Sequence, residues 1–450
     1  MKLKLSFITP THDPRWLRET WASLRHQTHE DWEWVIVCND RNGKGWKSER
    51  MAMEMRGAFE DARVRVEVDT RPWSGIGDRK RFAFGLGQGD VLVELDHDDL
   101  LLRDAGRRIA LEFKDPQVGF VYSDWADFED LSSDGTVQGK PRTYRGAMRS
   151  SWLKNGYIFY ERTFTADECT RPGLYECVRA FPPSALSMSL IFWAPNHVRA
   201  WRRDVYHALG GHNPEYALCD DHELCCRTYG MTQMRHIPEP LYLYRVSQDN
   251  TWSKNEKKID EVTRQVRARF WIPLIVREAE LRGLHTFDLG GAFNAPSGWT
   301  PVDIDYNAMD KAGGVAADLS SGPWPWPNGS VGAFRAYDFL SQLPDPSLTM
   351  REIWRCLAPG GYLLSMTPST DGRGAFQDPT NRSYWNQNSF WYWTRRDQAR
   401  YSRNDLVRFQ EADLYTYYPT AWHEENKISY VVANLVALKE GYHGPGVKFI

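Results

Sequence analysis

The sequence predicts two successive α/β domains, and three observations carry that prediction. Apolar segments rich in valine, isoleucine and aromatics alternate with helical patterns from the start, as in a largely parallel sheet covered by helices. The alternation breaks near residue 255, where Ile259, Val262, Val266 and Phe270 recur at helical spacing in a charged background. A second alternating series begins after residue 284. At 450 residues the chain also exceeds what one hydrophobic core usually serves.

The elements follow in order. In residues 1–254, "LSFIT" reads as a strand, "RWLRETWASLRHQ" as a helix, and "WEWVIVCND", "VRVEV", "DVLVELD" and "VGFVYSD" as further strands. Residues 255–283 read as a connecting helix that Pro273 interrupts. In residues 284–450 the strands are "HTFDLGG", "TPVDID", "GVAADL", "GAFRAYDFL" and "GGYLLSMTP", with "SGPWPWPNGS" an irregular loop among them. "FQEADLYTYY" and "ISYVVANLVAL" suit an antiparallel pair that closes the second sheet.

Composition narrows the function classes. With 42% hydrophobic and 26% charged residues the chain reads as an ordinary soluble protein. A formal charge of -3 offers no global attraction for nucleic acid or anionic membrane, leaving only local groups such as Arg199, Arg202 and Arg203. Seven cysteines without metal-type spacing, including Cys219, Cys225 and Cys226, suit small buried side chains. The opening "MKLKLSFITPTHD" is too short an apolar run for a leader or anchor, and no segment is long enough to span a membrane. The expectation is a cytoplasmic protein with reduced thiols.

Open parallel sheets bind ligands beyond the carboxyl ends of their strands, which selects Thr9, Thr11, Asp40 and the run Asp96 to Asp99. In "VLVELDHDDLL" three carboxylates crowd the end of an apolar strand, and they repel one another unless a cation neutralises them. Mg²⁺ or Mn²⁺, with a diphosphate completing its shell, would do so. Asp98 and Asp99 equally suit a cap for a helix over "DLLLRDAGRRIALEF". Likewise Asp40, followed by residues 41–43, reads as a turn, and Asp220 or Asp221 as a cap for "HELCCRTYG".

Three blocks in order, "SFITPTHDPRWLRETWASLRHQTHEDWEWVIVCND", "GIGDRKRFAFGLGQGDVLVELDHDDLL" and "WRRDVYHALGGHNPEYALCDDHELCCR", resemble the inverting family-two glycosyltransferases of the GT-A fold over residues 3 to 252. The resemblance implies a nucleotide-sugar donor, UDP-linked, held with Mn²⁺ or Mg²⁺. It places Thr9, Pro10 and Thr11 along the nucleotide pocket and Asp40 against the base. Asp96 and Asp98 match the DxD positions, Asp98 the more direct metal ligand and Asp96 also facing the donor. Asp221 takes the place of the general base that activates the acceptor hydroxyl. Arg79 and Lys80 suit either the diphosphate or a solvated helix face, and His97 a spacer. Relatives supply a histidine where this chain has Ser247; Gln248, Asp249 or water stands in.

"FDLGGAFNAPSGWTPVDID" followed by "CLAPGG" before an apolar strand resembles the class I S-adenosylmethionine-dependent methyltransferases, a Rossmann-like fold. The resemblance implies S-adenosylmethionine contacts at Asp288, Gly290 and Gly291 (methionine), Asp303 or Asp305 (ribose) and Asp318 (adenine). The glycine loop departs from the usual spacing at Phe293, Asn294 and Pro296, and "DFLSQL" lacks the Glu-His pair common in relatives. Two outcomes stay open: a domain that methylates the product, or a non-catalytic module that binds the acceptor. The aromatic and amide-rich residues 377–393 suit sugar stacking or packing onto the domain's own core. The fusion resembles phage and bacterial enzymes that decorate glycans, proteins or hydroxymethylated DNA bases, which are the acceptor classes it implies.

Overall fold

Near-continuous apolar strands set the first sheet, because strands buried on both faces have no solvent side to alternate with. In the computed structural model, which describes residues 3–40, 45–72, 75–130, 140–144, 156–191, 195–247, 251–292, 294–404 and 406–442, the chain divides into two units. One comprises Met1–Leu153 and Tyr157–Trp271, the other Lys154–Gly156 and Ile272–Ile450.

The first unit contains β1 (Leu5–Thr11), β2 (Trp32–Asn39), β3 (Val64–Asp69), β4 (Val91–Glu94), β5 (Leu100–Leu101), β6 (Val118–Glu129), β7 (Lys140–Pro141), β8 (Ile158–Phe164), β9 (Gly173–Arg179), β10 (Arg199–Arg202) and β11 (Gln233–Val246). The main path runs β3-β2-β1-β4-β10-β6-β11-β5, and the β8/β9 hairpin joins it at β6. The first four of that path are parallel, as the alternation predicts. β10 departs from the expectation, since it lies antiparallel between β4 and β6. It sets Arg199 directly opposite Glu94, a cross-strand pairing of opposite charges.

The helix expected from residue 98 starts later. Arg245 donates its backbone N–H to Asp99 Oδ1 and its Nε–H to the Asp98 carbonyl, both at 2.6 Å, and Leu100 pairs with Leu243. These bonds hold the segment extended as β5, and the helix Ala105–Glu112 begins after Asp104 at the N-cap position. Asp98 and Asp99 therefore cap nothing. The basic group also resolves inward: Arg199 is buried, and Arg202 donates to the carbonyls of Phe113, Asp115 and Val118. All seven cysteines are buried and unpaired.

A helix spans Thr251–Leu281, with non-helical backbone at Asn255, and it continues through Pro273 instead of stopping there. Beyond the proline, Leu274, Ile275 and Ala279 are buried, so a packed face offsets the lost N–H bond. Among the described residues no helix is long and apolar enough to cross a membrane.

The second unit holds β12 (His285–Leu289), β13 (Thr300–Asp303), β14 (Val315–Ala316), β15 (Val331–Tyr337), β16 (Leu357–Pro368), β17 (Phe409–Tyr417) and β18 (Tyr430–Ala437), in the order β14-β13-β12-β15-β16-β18-β17. The first five are parallel, and β18 runs antiparallel to both β16 and β17. The C-terminal pair thus closes the sheet with its later strand inside. Trp385, Phe390 and Trp393, from the aromatic segment, belong to the buried core with Phe334 and Leu363. That segment mostly packs on its own domain: Asn386 caps the helix Gln387–Thr394, and Gln387 bonds Thr416.

Candidate functional site

At the carboxyl end of β4 the chain places Glu94 and Asp96 two residues apart, hence on one side of the strand. Across from them β10 begins with Arg199, and His197 stands two residues before it. Glu94 is buried and pairs with Arg199 (Nε–Oε2 2.7 Å) and with Lys80 from the helix Ile76–Gly85. Burial favours the neutral acid, but the Arg199 and Lys80 charges outweigh it and hold Glu94 well below the ordinary carboxylate range. Burial disfavours the Lys80 charge, but the carboxylates of Glu94, Asp220, Asp96 and Asp221 raise it and keep it a cation.

His197 Nε2 lies 3.6 Å from Asp96 Oδ2 and 3.8 Å from Glu94 Oε2. Arg199 Nη2 donates to that nitrogen at 2.8 Å, which leaves the ring proton on Nδ1 toward Asn196 Oδ1 at 3.0 Å. Tyr242 stacks on the ring at 4.8 Å, and its hydroxyl accepts the Asp96 N–H. Glu94, Asp96 and His197 present ligand atoms within 4.8 Å of one another, the one such group found among the described residues. Asp98 is outside it. Burial and its neighbour Asp96 raise the Asp98 carboxyl, against the pull of His97 and Arg245.

The bridge continues to the helix Asp220–Met231, where Arg199 Nη1 donates to Asp221 Oδ2 at 2.7 Å. Asp220 and Asp221 differ in access. The Asp220 side chain is 3% exposed and sits 3.7 Å from His212, whereas Asp221 is 24% exposed. Burial raises Asp220; for Asp221 the Arg199 and Lys80 charges overcome burial and bring it down to about 2. Two backbone features set this turn. Cys219 adopts φ 58, a left-handed conformation uncommon for non-glycine residues. A Cβ at Gly77 would lie 2.5 Å from the Asn213 carbonyl and 3.0 Å from Asp220 Cβ, so glycine lets the lysine-bearing helix approach.

Other predicted donor residues have structural duties. Thr9 is fully buried, donating to the Leu95 carbonyl at 2.8 Å and accepting from Trp34 Nε1 at 2.9 Å. Thr11 donates to the Asp13 carbonyl. Pro10 and Asp40 are half-buried at the ends of β1 and β2. The buried Arg79 guanidinium pairs with Asp69 and donates to the Arg71 and Pro72 carbonyls. Ser247 is half-buried after β11, and Gln248 and Asp249 lie outside the described residues.

Residues 6–168 match the model of Glycosyl transferase family 2. That match covers less than half of the chain and falls mainly in the first unit. Asp96 falls within the match, and His197, Arg199 and Asp221 follow it. Over 127 residues, 27% of the chain, the protein is 32% identical to the O-antigen biosynthesis protein RfbC of Myxococcus xanthus, and it covers 9% of that relative's length. Among solved structures, it matches S. aureus TarS 1-349 in complex with UDP-GlcNAc at 14% identity and TM-score 0.39, covering 66% of this chain and 77% of that one. It also matches the mannosyltransferase PcManGT of Pyrobaculum calidifontis in complex with GDP-Man and Mn²⁺, at 14% identity and TM-score 0.37, covering 63% and 65%.

Outside the matched residues, those expected to hold S-adenosylmethionine make contacts within the second unit. Asp288 is buried and both its oxygens accept from Arg335 Nη1 at 2.8 Å. Gly290 has φ 74, and a Cβ there would lie 2.7 Å from Phe339, so the ring packs close against the glycine. Gly291 backs onto the Asp288 carboxylate. Asp305 caps the helix Tyr306–Ala312, Asp303 accepts the Asp305 N–H, and exposed Asp318 accepts from Ser320.

Sequence reasoning passed over Glu94, His197 and Arg199 as site residues. Their signal was present as i, i+2 pairs, "ELD" ending one strand and "HVR" entering another. Only the antiparallel β4/β10 register makes them one group.

Proposed function

We propose that this chain is an inverting glycosyltransferase that moves a sugar from a nucleotide-diphosphate donor, UDP-linked, to an acceptor hydroxyl, with the second unit binding the acceptor. The observation that carries the reading is the Arg199 bridge, which ties the Glu94/Asp96/His197 group to Asp221. One face then offers a cation-type ligand set and an ionised carboxylate. Asp96 is the residue to hold Mn²⁺ or Mg²⁺, with His197 joining it where its Nε2 exchanges the Arg199 N–H for the ion, since two cationic side chains already neutralise Glu94. A bound divalent ion stabilises the charge that develops on a departing diphosphate.

The chain's own groups do the rest. Asp221, the accessible member of its pair, orients the acceptor hydroxyl and takes its proton. A carboxylate held at about 2 is a weak base, so the transfer accompanies formation of the new carbon–oxygen bond. Arg199 keeps that carboxylate ionised and pointed. A single base opposite a leaving diphosphate corresponds to inversion at the anomeric carbon.

Donor hydrolysis measured with Mn²⁺ and with chelator tests the reading. Turnover is expected to need the metal and to disappear in Asp96→Asn and Asp221→Asn; hydrolysis indifferent to both substitutions would sink it. Methylation by the second unit is the alternative reading, and the parallel order β14-β13-β12-β15-β16 favours it, being the 3-2-1-4-5 order of dinucleotide-binding sheets. The committed Asp288 and Gly290 weigh toward an acceptor-binding role instead. Transfer to hydroxymethylated DNA predicts salt-sensitive DNA binding, for which the -3 net charge gives no support.

A further inference from the structure

The switch point of the second sheet lies between β12 and β15, the usual ligand position in such folds. There the protein fills its own crevice, with Phe339 against Gly290 and Arg335 on Asp288. Along the adjoining part of the same edge Asp338 is exposed. β15 ends at Tyr337 and β16 at Pro368, and β18, running the other way, begins at Tyr430 opposite Pro368 and beside Tyr417. Three strands thus bring their polar ends together.

Asp338 follows β15 with φ 53, a left-handed conformation that aspartate tolerates but seldom adopts. Tyr430 bonds its carboxylate, and Asp378 and His423 lie near enough for their charges to act on it. His423 is oriented by Thr420 (Nδ1–Oγ1 2.8 Å), with its ring 5.9 Å from Tyr430 and 5.2 Å from Trp422. Around these polar groups three large rings face solvent. Phe376 and Tyr384 stack at 5.2 Å yet remain 63% and 54% exposed, and Trp422 is 58% exposed. Arg373 donates its backbone N–H to the Lys427 carbonyl at 2.8 Å and its Nη2–H to Asn426 Oδ1 at 3.3 Å, which sets the short helix carrying Phe376 beside the one carrying Trp422 and His423.

We propose that this face binds a carbohydrate chain, with the exposed rings receiving the apolar faces of sugar units and Asp338, Tyr430 and His423 bonding hydroxyls. The chemistry selects the occupant. Protein docking favours an apolar centre depleted in charge, whereas here carboxylates interrupt the rings. Those carboxylates also repel the phosphates of a nucleic acid. A neutral polyhydroxyl ligand satisfies both halves of the surface. As the acceptor site of the transferase the face rests on the function proposed above; as a sugar-binding surface it stands by itself.

The test titrates the full chain with linear tetrasaccharides of N-acetylglucosamine, mannose and rhamnose, following tryptophan fluorescence and calorimetry. At least one sugar is expected to bind. Affinity should fall tenfold or more in Trp422→Ala, Tyr384→Ala and Asp338→Asn and be retained in Tyr384→Phe, which keeps the ring. Donor hydrolysis should be unchanged in all four variants, because it reads the first unit alone. Binding of none of the three sugars, equal affinity in Trp422→Ala and Tyr384→Ala, or preference for a single-stranded oligonucleotide each overturns the proposal. A wild type that binds sugar without hydrolysing donor refutes the transferase reading and leaves this one standing.

Discussion

Both units bury a carboxylate near the carboxyl end of a central parallel strand, and the fate of the two differs. In the first unit Glu94 meets Lys80 and Arg199, and Arg199 passes on to His197 and Asp221. In the second, Asp288 meets Arg335, which bonds both oxygens and lies 3.9 Å over the Tyr337 ring. A bridge that continues leaves Asp96 and Asp221 partly open and keeps Asp221 ionised. A closed pair only holds strands together. A buried charge at a ligand-binding edge marks a site when its partner has a further contact to make.

That comparison breaks most visibly in catalysis. Asp221→Asn is expected to lower kcat by about 10²–10⁴, the usual worth of a general base, with donor affinity and folding retained. Steady-state kinetics beside a far-ultraviolet spectrum decide it. Stability comes next. Glu94→Ala strands two buried cations and should cost about 3–5 kcal/mol in denaturant unfolding of the first unit. Asp288→Ala strands Arg335 alone, whose side chain is 19% exposed, and should cost about 1–3 kcal/mol. Equal losses would erase the distinction.

The pH response sharpens the role of Arg199. A depressed carboxylate pKa keeps the ionised form from neutrality down toward the pKa, so Asp221, at about 2, causes no loss of kcat/KM across pH 4–8. In Arg199→Gln the burial that raises Asp221 remains, the largest lowering charge and its hydrogen bond are gone, and only Lys80 still lowers it. Its pKa should then rise above the ordinary value of about 3.9, and an acid limb should enter that window. A variant with the wild-type profile would show that Arg199 does not tune the base. Smaller effects follow in the second unit, where S-adenosylmethionine should leave the melting temperature unchanged; an upward shift would reveal binding by linkage and favour the methyltransferase reading. Thr9→Val should cost about 1 kcal/mol in stability, through its bonds to Leu95 and Trp34, without altering KM for the donor.

Much of this was legible in the chain. Segments such as "WEWVIVCND" and "GGYLLSMTP" announced strands because both faces of each are buried, and Asp96 and Asp221 stood out at predicted strand and helix ends. The aromatic residues 377–393 were ambiguous, since Trp385 in the core and Tyr384 at 54% exposure are neighbours that composition treats alike. Arg79 and Lys80 were equally ambiguous, as adjacent helix residues pointing in different directions: one ends on Asp69, the other on Glu94.

The sequence by itself determined two α/β sheets, the strands that end in carboxylates and the absence of a large net charge, because these follow from local periodicity and counting. Tertiary structure alone decided which charges meet. The antiparallel insertion of β10 placed His197 and Arg199 against Glu94 and Asp96, and the turn at Cys219 brought Asp221 to Arg199. Strand neighbours distant in sequence leave no periodic trace, whereas Coulomb energy depends on the few ångströms that only folding sets.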